Sequence, residues 1–319
     1  MSKILTIYKF NNCHQITVSL KQGQLQISKF CRKQRMLEPM QHDQLEPILY
    51  DDSILNKIFM TLNKNAQQII FDLGGWHQFD EKVDIDMTSK ERNVRFLIGE
   101  GTMSFLKYKD QRGIYYGETV DDNVLHGRGI TVWFRPKTQT SLIWETWFNM
   151  GVPVVGRFIE SAGTKKKWQT YFGGFNDQFE FHGSCINNWN DGVTFEGKYK
   201  DNHWHGYGKM YDNVKNITMF EGQFKEGKQI SGTKHISGEG IYDGEYKENC
   251  RHGKGKLTYF DGSSWEGTWN NAQKTGKGTY TYADGRYVVG KWKGEERVGV
   301  HFVYNKDGSE MEREQYEEE

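Results

Sequence analysis

Several residue patterns in this sequence could carry chemistry. Four histidines, His126, His182, His205 and His252, each stand directly before a glycine. Imidazole nitrogen and thiolate sulfur are the ligands zinc favours, so a row of these histidines with Cys185 or Cys250 is a candidate metal site. Gly222-Gln-Phe-Lys-Glu-Gly227-Lys228-Gln229 comes close to a phosphate-cradling glycine loop. It lacks the serine or threonine whose hydroxyl would hold magnesium. Glu145, Glu196, Glu221 and Glu266 could supply acid–base catalysis if they converged. Lys165, Lys166 and Lys167 form a small basic cluster, read as a solvated loop or as a contact for an anionic partner. No nucleophile elbow and no metalloprotease helix occurs.

Most of these residues recur at fixed offsets, and the offset explains them better than catalysis does. The glycine of an aromatic-x-Gly-x-aromatic phrase appears at Gly117, Gly173, Gly197, Gly222, Gly244, Gly267 and Gly290, with Thr146 taking its place once. Two residues before this anchor stand Tyr115, Trp144, Tyr171, Phe195, Phe220, Tyr242, Trp265 and Val288. Two residues after it stand Thr119, Phe148, Phe175, Tyr199, Phe224, Tyr246, Trp269 and Trp292. Fourteen of these sixteen positions are aromatic in a chain that is 14% aromatic, so the array is real and has eight units. A second glycine follows nine or ten residues later, from Gly127 to Gly299. The glutamates share one place beside the anchor, which spaces them along a solvated face. The histidines share another, which favours packing between units over metal binding. The phosphate-loop lookalike falls in the same register, which already accounts for its glycines.

Each unit reads as a two-stranded hairpin. Thr279-Tyr280-Thr281-Tyr282 alternates with period two. Asp261-Gly262 and Asp284-Gly285 are turn signals that join one unit to the next. One hairpin alone is marginal in water. Stacking lays each aromatic over its equivalent in the next unit, and the anchor glycine leaves room for a ring from a neighbouring strand. At ~4.8 Å per strand, eight units make a thin sheet roughly 75–80 Å long. The expected fold is mainly β: an elongated, twisted antiparallel sheet of about eight stacked hairpins. Ile98–Phe105 resembles half a unit, so the array is read as 99–305, degenerate before 190 and regular from 195.

The phrase Tyr-x-Gly-x-Tyr/Trp…His-Gly-Lys-Gly-x-x-x-Tyr at this period, clearest in Tyr242–Phe260, resembles the MORN repeat (membrane occupation and recognition nexus). The resemblance implies the stacked-hairpin fold, no catalysis and no cofactor. It implies the aromatic ladders Trp144, Tyr171, Phe195, Phe220, Tyr242 and Trp265, and Phe148, Phe175, Tyr199, Phe224, Tyr246, Trp269 and Trp292. It also implies partners that are other proteins of a multi-subunit cytoskeletal assembly, ciliary or axonemal and radial-spoke-like, including a second copy or another MORN protein. The alternative is a membrane-associated adaptor that reads acidic phospholipid headgroups.

Lys+Arg and Asp+Glu are 42 each, so no net charge draws the chain to nucleic acid. No apolar run reaches the ~18 residues of a membrane span, and the first fifteen residues do not read as a signal peptide. The four cysteines read as reduced cytoplasmic thiols. Residues 1–98 are expected to form a small α+β cap over one terminal edge. In it, Ile4–Phe10, Gln15–Leu20 and Gln24–Ser28 read as strands, Gln44–Leu62 as one helix or two interrupted at Pro47, and Gln67–Leu73 as strand or helix end. Residues 306–319, rich in glutamate, are expected to be an acidic tail.

Overall fold

The computed structural model describes residues 4–6, 15–21, 24–30, 51–77, 83, 93–100, 112–121, 124–135, 137–163 and 167–317. The chain divides into two units, Met1–Leu49 and Tyr50–Glu319. In the first, β1 (Ile4–Thr6), β2 (Gln15–Lys21) and β3 (Gln24–Phe30) pair antiparallel in that order.

The second unit opens with two helices, α1 (Asp52–Thr61) and α2 (Lys64–Asp72). Asp51 caps α1 by accepting from the Ser53 amide, and Asn63 caps α2 by accepting from the Ala66 amide. Residues 67–72, open between strand and helix in the sequence, are helical. The Asn63 cap starts them, and Ala66, Ile69 and Ile70 give them one buried face.

Eighteen strands follow. They are β4 (Asn93–Glu100), β5 (Arg112–Val120), β6 (Val124–Arg135), β7 (Thr140–Asn149), β8 (Val152–Ala162), β9 (Trp168–Phe175) and β10 (Phe181–Trp189). Next come β11 (Val193–Lys200), β12 (His203–Asp212), β13 (Ile217–Lys225), β14 (Lys228–Ile236), β15 (Gly240–Lys247) and β16 (Cys250–Tyr259). The last are β17 (Ser264–Asn270), β18 (Gln273–Thr281), β19 (Tyr287–Lys293), β20 (Glu296–Tyr304) and β21 (Glu310–Tyr316). Each pairs antiparallel with the next, and among the described residues no register joins β21 back to β4, so the sheet is open. Eight hairpins, β5–β6 to β19–β20, carry the eight anchors. Among the described residues no helix is long and apolar enough to cross a membrane.

Turn chemistry sets the registers. Within a unit the strands are joined by two-residue loops in which both residues have positive φ: Asp201 and Asn202 at 50° and 64°, Glu248 and Asn249 at 51° and 64°, Asn271 and Ala272 at 47° and 66°. Loops of this hand match the twist of the flanking strands. Between units, the carboxylates of Asp261, Asp284 and Asp307 accept from the amides of Ser263, Arg286 and Ser309. The second glycine of the repeat marks a bulge: Gly206, Gly253 and Gly276, with φ near 65° (66°, 62° and 65°), lie where the pairing shifts.

The anchor glycines pair across the hairpin: Gly197 with Gly208, Gly222 with Gly232, Gly244 with Gly255, Gly267 with Gly278. A Cβ on Gly208 would lie 2.6 Å from the Phe195 ring, and one on Gly267 2.6 Å from the Trp265 ring. The ring over each glycine pair therefore comes from two residues earlier on the same strand, not from a neighbouring strand as the sequence suggested.

Two apolar cores lie on opposite faces, because alternate residues of one strand enter different clusters. Tyr115, Trp144 and Phe158 join the aromatic front core, while Tyr116, Ile143 and Ile159 join a second core with Ile58, Leu62, Ala66, Ile69 and Ile70. The helices thus cover the reverse face of β5–β8 rather than a terminal edge. They pack on the sheet within the unit Tyr50–Glu319. This cover also explains the degenerate repeats: a strand buried on both faces cannot keep polar residues at its reverse positions.

The acidic segment is not a loose tail. Glu310–Tyr316 pairs with β20 from Tyr304 to Gly299. Arg297 draws it in by donating to Glu314 at 2.7 Å and to the Tyr316 hydroxyl at 3.0 Å.

Gly208→Ala should cost about 1–3 kcal/mol by overpacking against Phe195. Ala272→Gly, which relieves a positive φ, should gain up to about 1 kcal/mol. Urea unfolding of the full chain measures both.

Candidate interaction surface

All thirteen aromatic residues singled out from the sequence, from Trp144 to Trp292, lie in the one front core. They do not stack column on column as the sequence suggested. The ring before the anchor packs edge-to-face with the ring after the next unit's anchor. Phe195 meets Phe224 at 5.6 Å and 82°, Tyr242 meets Trp269 at 5.4 Å and 90°, and Trp265 meets Trp292 at 6.2 Å and 81°. Edge-to-face contact is the arrangement aromatic quadrupoles prefer. Where the first ring is tyrosine, its hydroxyl reaches past the glycine to the next carbonyl: Tyr115 to Glu118, Tyr171 to Gly174, Tyr242 to Glu245. Burial pushes the Tyr242 and Tyr199 phenols up to about 12, so they stay neutral.

A further row lies over these rings. In four units one residue of the second strand bridges the unit's own first ring and the next unit's second ring. Phe181 stacks on Tyr171 at 3.8 Å and meets Tyr199 at 5.7 Å. Trp204 lies on Phe195 at 5.3 Å and meets Phe224 at 5.6 Å. Toward the C-terminus the bridge becomes a cation. Arg251 sits 5.9 Å from Tyr242 and 4.4 Å from Trp269, and Lys274 sits 5.9 Å from Trp265 and 5.6 Å from Trp292. Arg297 lies over Trp292 and Tyr316, and Lys234 over Tyr246 at 5.8 Å. A cation on an aromatic face contributes about 0.5–2 kcal/mol, more as water leaves. Lys274 is only 3% exposed. Burial opposes its charge, yet hydrogen bonds to Glu295 and Tyr259 hold it above the ordinary lysine value. The sequence analysis missed this row. Counting seven residues from Gly197, Gly244, Gly267 and Gly290 finds Trp204, Arg251, Lys274 and Arg297.

The other candidates separate. The Met150 amide donates to His126 Nδ1 at 3.3 Å, and His182 Nδ1 lies 3.3 Å from Asp201 in the next unit. Among the described residues no three of His, Cys, Asp and Glu assemble as metal ligands. Burial pushes the Cys185 thiol up to about 12. Glu221 and Glu266 lie on the reverse face near Lys209 and Lys256. Glu145 does not share their solvated setting. It is fully buried, chelates Arg157 and accepts from the His77 amide at 2.8 Å, while Arg157 donates to the Gly75 carbonyl at 2.7 Å. This pair fastens the end of the helical segment to β7 and β8. Asn63 fastens the other end by donating to the Gln139 and Ser161 carbonyls, both at 3.0 Å. Lys165 and Lys166 lie outside the described residues, and Lys167 is exposed.

Residues 195–213, 242–264 and 265–285 match the MORN repeat family. This is a MORN-repeat protein. Its matched segments are the hairpins in which glycine pairs, edge-to-face rings and bridging residues are most regular. MORN repeats are generally non-catalytic modules of protein or membrane interaction. No curated protein matches this chain.

Glu145→Ala should cost about 3–5 kcal/mol by stranding a buried arginine. Faster amide exchange across 51–77 should accompany it, and Glu145→Leu with Arg157→Met should recover most of the loss. A second expectation concerns pH. His301 is fully buried, and burial, aided by Arg297, pushes its pKa below 6.5. The unfolded chain then takes up a proton that the folded chain refuses, so stability should fall as pH drops below about 6.5. His301→Gln should flatten that slope between pH 7.5 and 5.5 in urea titrations.

Proposed function

We propose that this chain is a non-catalytic scaffold whose front face docks other proteins of a multi-subunit assembly. One observation carries the reading. Over a continuous ladder of buried rings lies a band of partly exposed apolar side chains, the rings of Trp189, Trp204, Tyr259 and Tyr280 with Met210 and Ile236. Rigid aromatic surface of this kind supplies contact area at little entropic cost, which is why binding hot spots concentrate there. Among the described residues, the carboxylates and histidines placed above contact neighbouring units or opposite charges one by one and do not converge on a shared centre.

The cytoskeletal setting, with a cilium or axoneme as the first place to look, rests on the family resemblance. Imaging the tagged chain in ciliated cells tests that placement.

The docking claim is tested by affinity purification of the full chain from its own cells. Met210→Glu should leave the fold intact by circular dichroism and reduce recovered partners about tenfold. A wild-type chain that brings down no stable complex, yet floats with anionic vesicles, would overturn it in favour of the membrane adaptor.

A further inference from the structure

Counting carboxylates along the bridging row singles out one unit. Arg251 pairs with Glu239 at 2.8 Å, Lys274 pairs with Glu295, and Arg297 pairs with Glu314 at 2.7 Å. Lys234 holds the same place, over the second ring of the next unit. It donates to the Gln229 side-chain oxygen at 3.1 Å, and among the described residues no carboxylate lies within ion-pair distance of it. The sequence explains the difference. The seventh residue after Gly222 is Gln229, where the three later units have Arg251, Lys274 and Arg297. The cation reaches in from further along β14 instead.

An ammonium taken partly out of water without a counter-charge is unfavourable. Burial holds Lys234 below the ordinary lysine value, with Arg251 acting the same way. The Tyr246 hydroxyl beside it is buried without a hydrogen-bond partner. Around it and toward the preceding unit the same face is apolar, with Ile236 of β14 and Trp204 and Met210 of β12 partly exposed.

We propose that Lys234 anchors a carboxylate carried by an acidic, partly aliphatic segment of a partner protein. That carboxylate completes at this unit the ion pair that the chain completes for itself at the next three. The proposal rests on the docking reading above and adds the chemistry of the partner. The precedents in the chain favour a carboxylate over a phosphate. Each cation of the row takes one carboxylate, and the nearest second cation, Arg251, already holds Glu239.

The test uses the full chain and a short fluorescent peptide of alternating leucine and glutamate, followed by anisotropy. A leucine–glutamine peptide, inorganic phosphate and phosphatidylserine vesicles serve as comparisons. The wild-type chain should bind the glutamate peptide saturably and the glutamine peptide much less. Lys234→Met should weaken binding about tenfold, the loss of one charge-assisted contact. Gln229→Glu should weaken it as much while raising the urea midpoint, because the new carboxylate then occupies Lys234 from within. No peptide binding, or binding that ignores both substitutions, overturns the site. So does phosphate or vesicle binding with the same Lys234 dependence. Peptide binding that ignores Lys234 but is lost in Met210→Glu leaves the docking reading standing and removes only this anchor.

Discussion

The structure depends on one contact: an aromatic ring lying flat over a pair of glycines. Any side chain at either glycine would occupy the space of the ring, as the 2.6 Å approach at Gly208 to Phe195 shows. With the ring down, it packs near-perpendicular to the next unit's second ring, and the bridging residue closes over both. Each hairpin, too small to be stable alone, is thus held by its neighbours. In such arrays stability is close to a sum of unit and nearest-neighbour terms.

The two faces then diverge. The front face keeps one construction from β11 to β18, where a ring over a glycine pair recurs in every unit. The reverse face changes along the sheet. Over β5–β8 it is apolar and covered by α1 and α2, fastened by Asn63 at one end and by Glu145 with Arg157 at the other. From β11 it carries glutamate, lysine and threonine in cross-strand contact, as in Lys209 with Glu221. The repeat looks degenerate at its N-terminal end because there the strands obey two cores at once. The bridge changes along the array in the same way, from Phe181 and Trp204 to Arg251, Lys274 and Arg297. The front face is therefore apolar toward one end and cationic toward the other.

Much of this was legible in the sequence. The spacing of Gly197, Gly222, Gly244, Gly267 and Gly290 with flanking aromatics fixes the hairpin period, and Asp261-Gly262 and Asp284-Gly285 mark the joints. Three things were not legible. Period two places Phe195 and Tyr199 on one face but says nothing of whether rings meet within a column or across it. Only the bulge at Gly206, which offsets the strand, decides that. The helices' place on the reverse face depends on contacts some 65–98 residues apart, such as Asp51 with Tyr116 and Asn63 with Ser161, which no local pattern encodes. And the charge of Glu310–Glu319 argued for solvent, while Arg297 and the open edge of β20 made Glu310–Tyr316 a strand.

Amide hydrogen exchange on Trp265→Ala, resolved strand by strand, tests most directly whether the rings bind neighbouring hairpins together. Protection should fall not only in β17 and β18 but also in β19–β20, whose Trp292 meets Trp265, and in β15–β16, whose Tyr242 meets the Trp269 that Trp265 holds. Exchange that quickens in β17 and β18 alone would mean that each hairpin stands by itself, and the ladder would not be what holds the array.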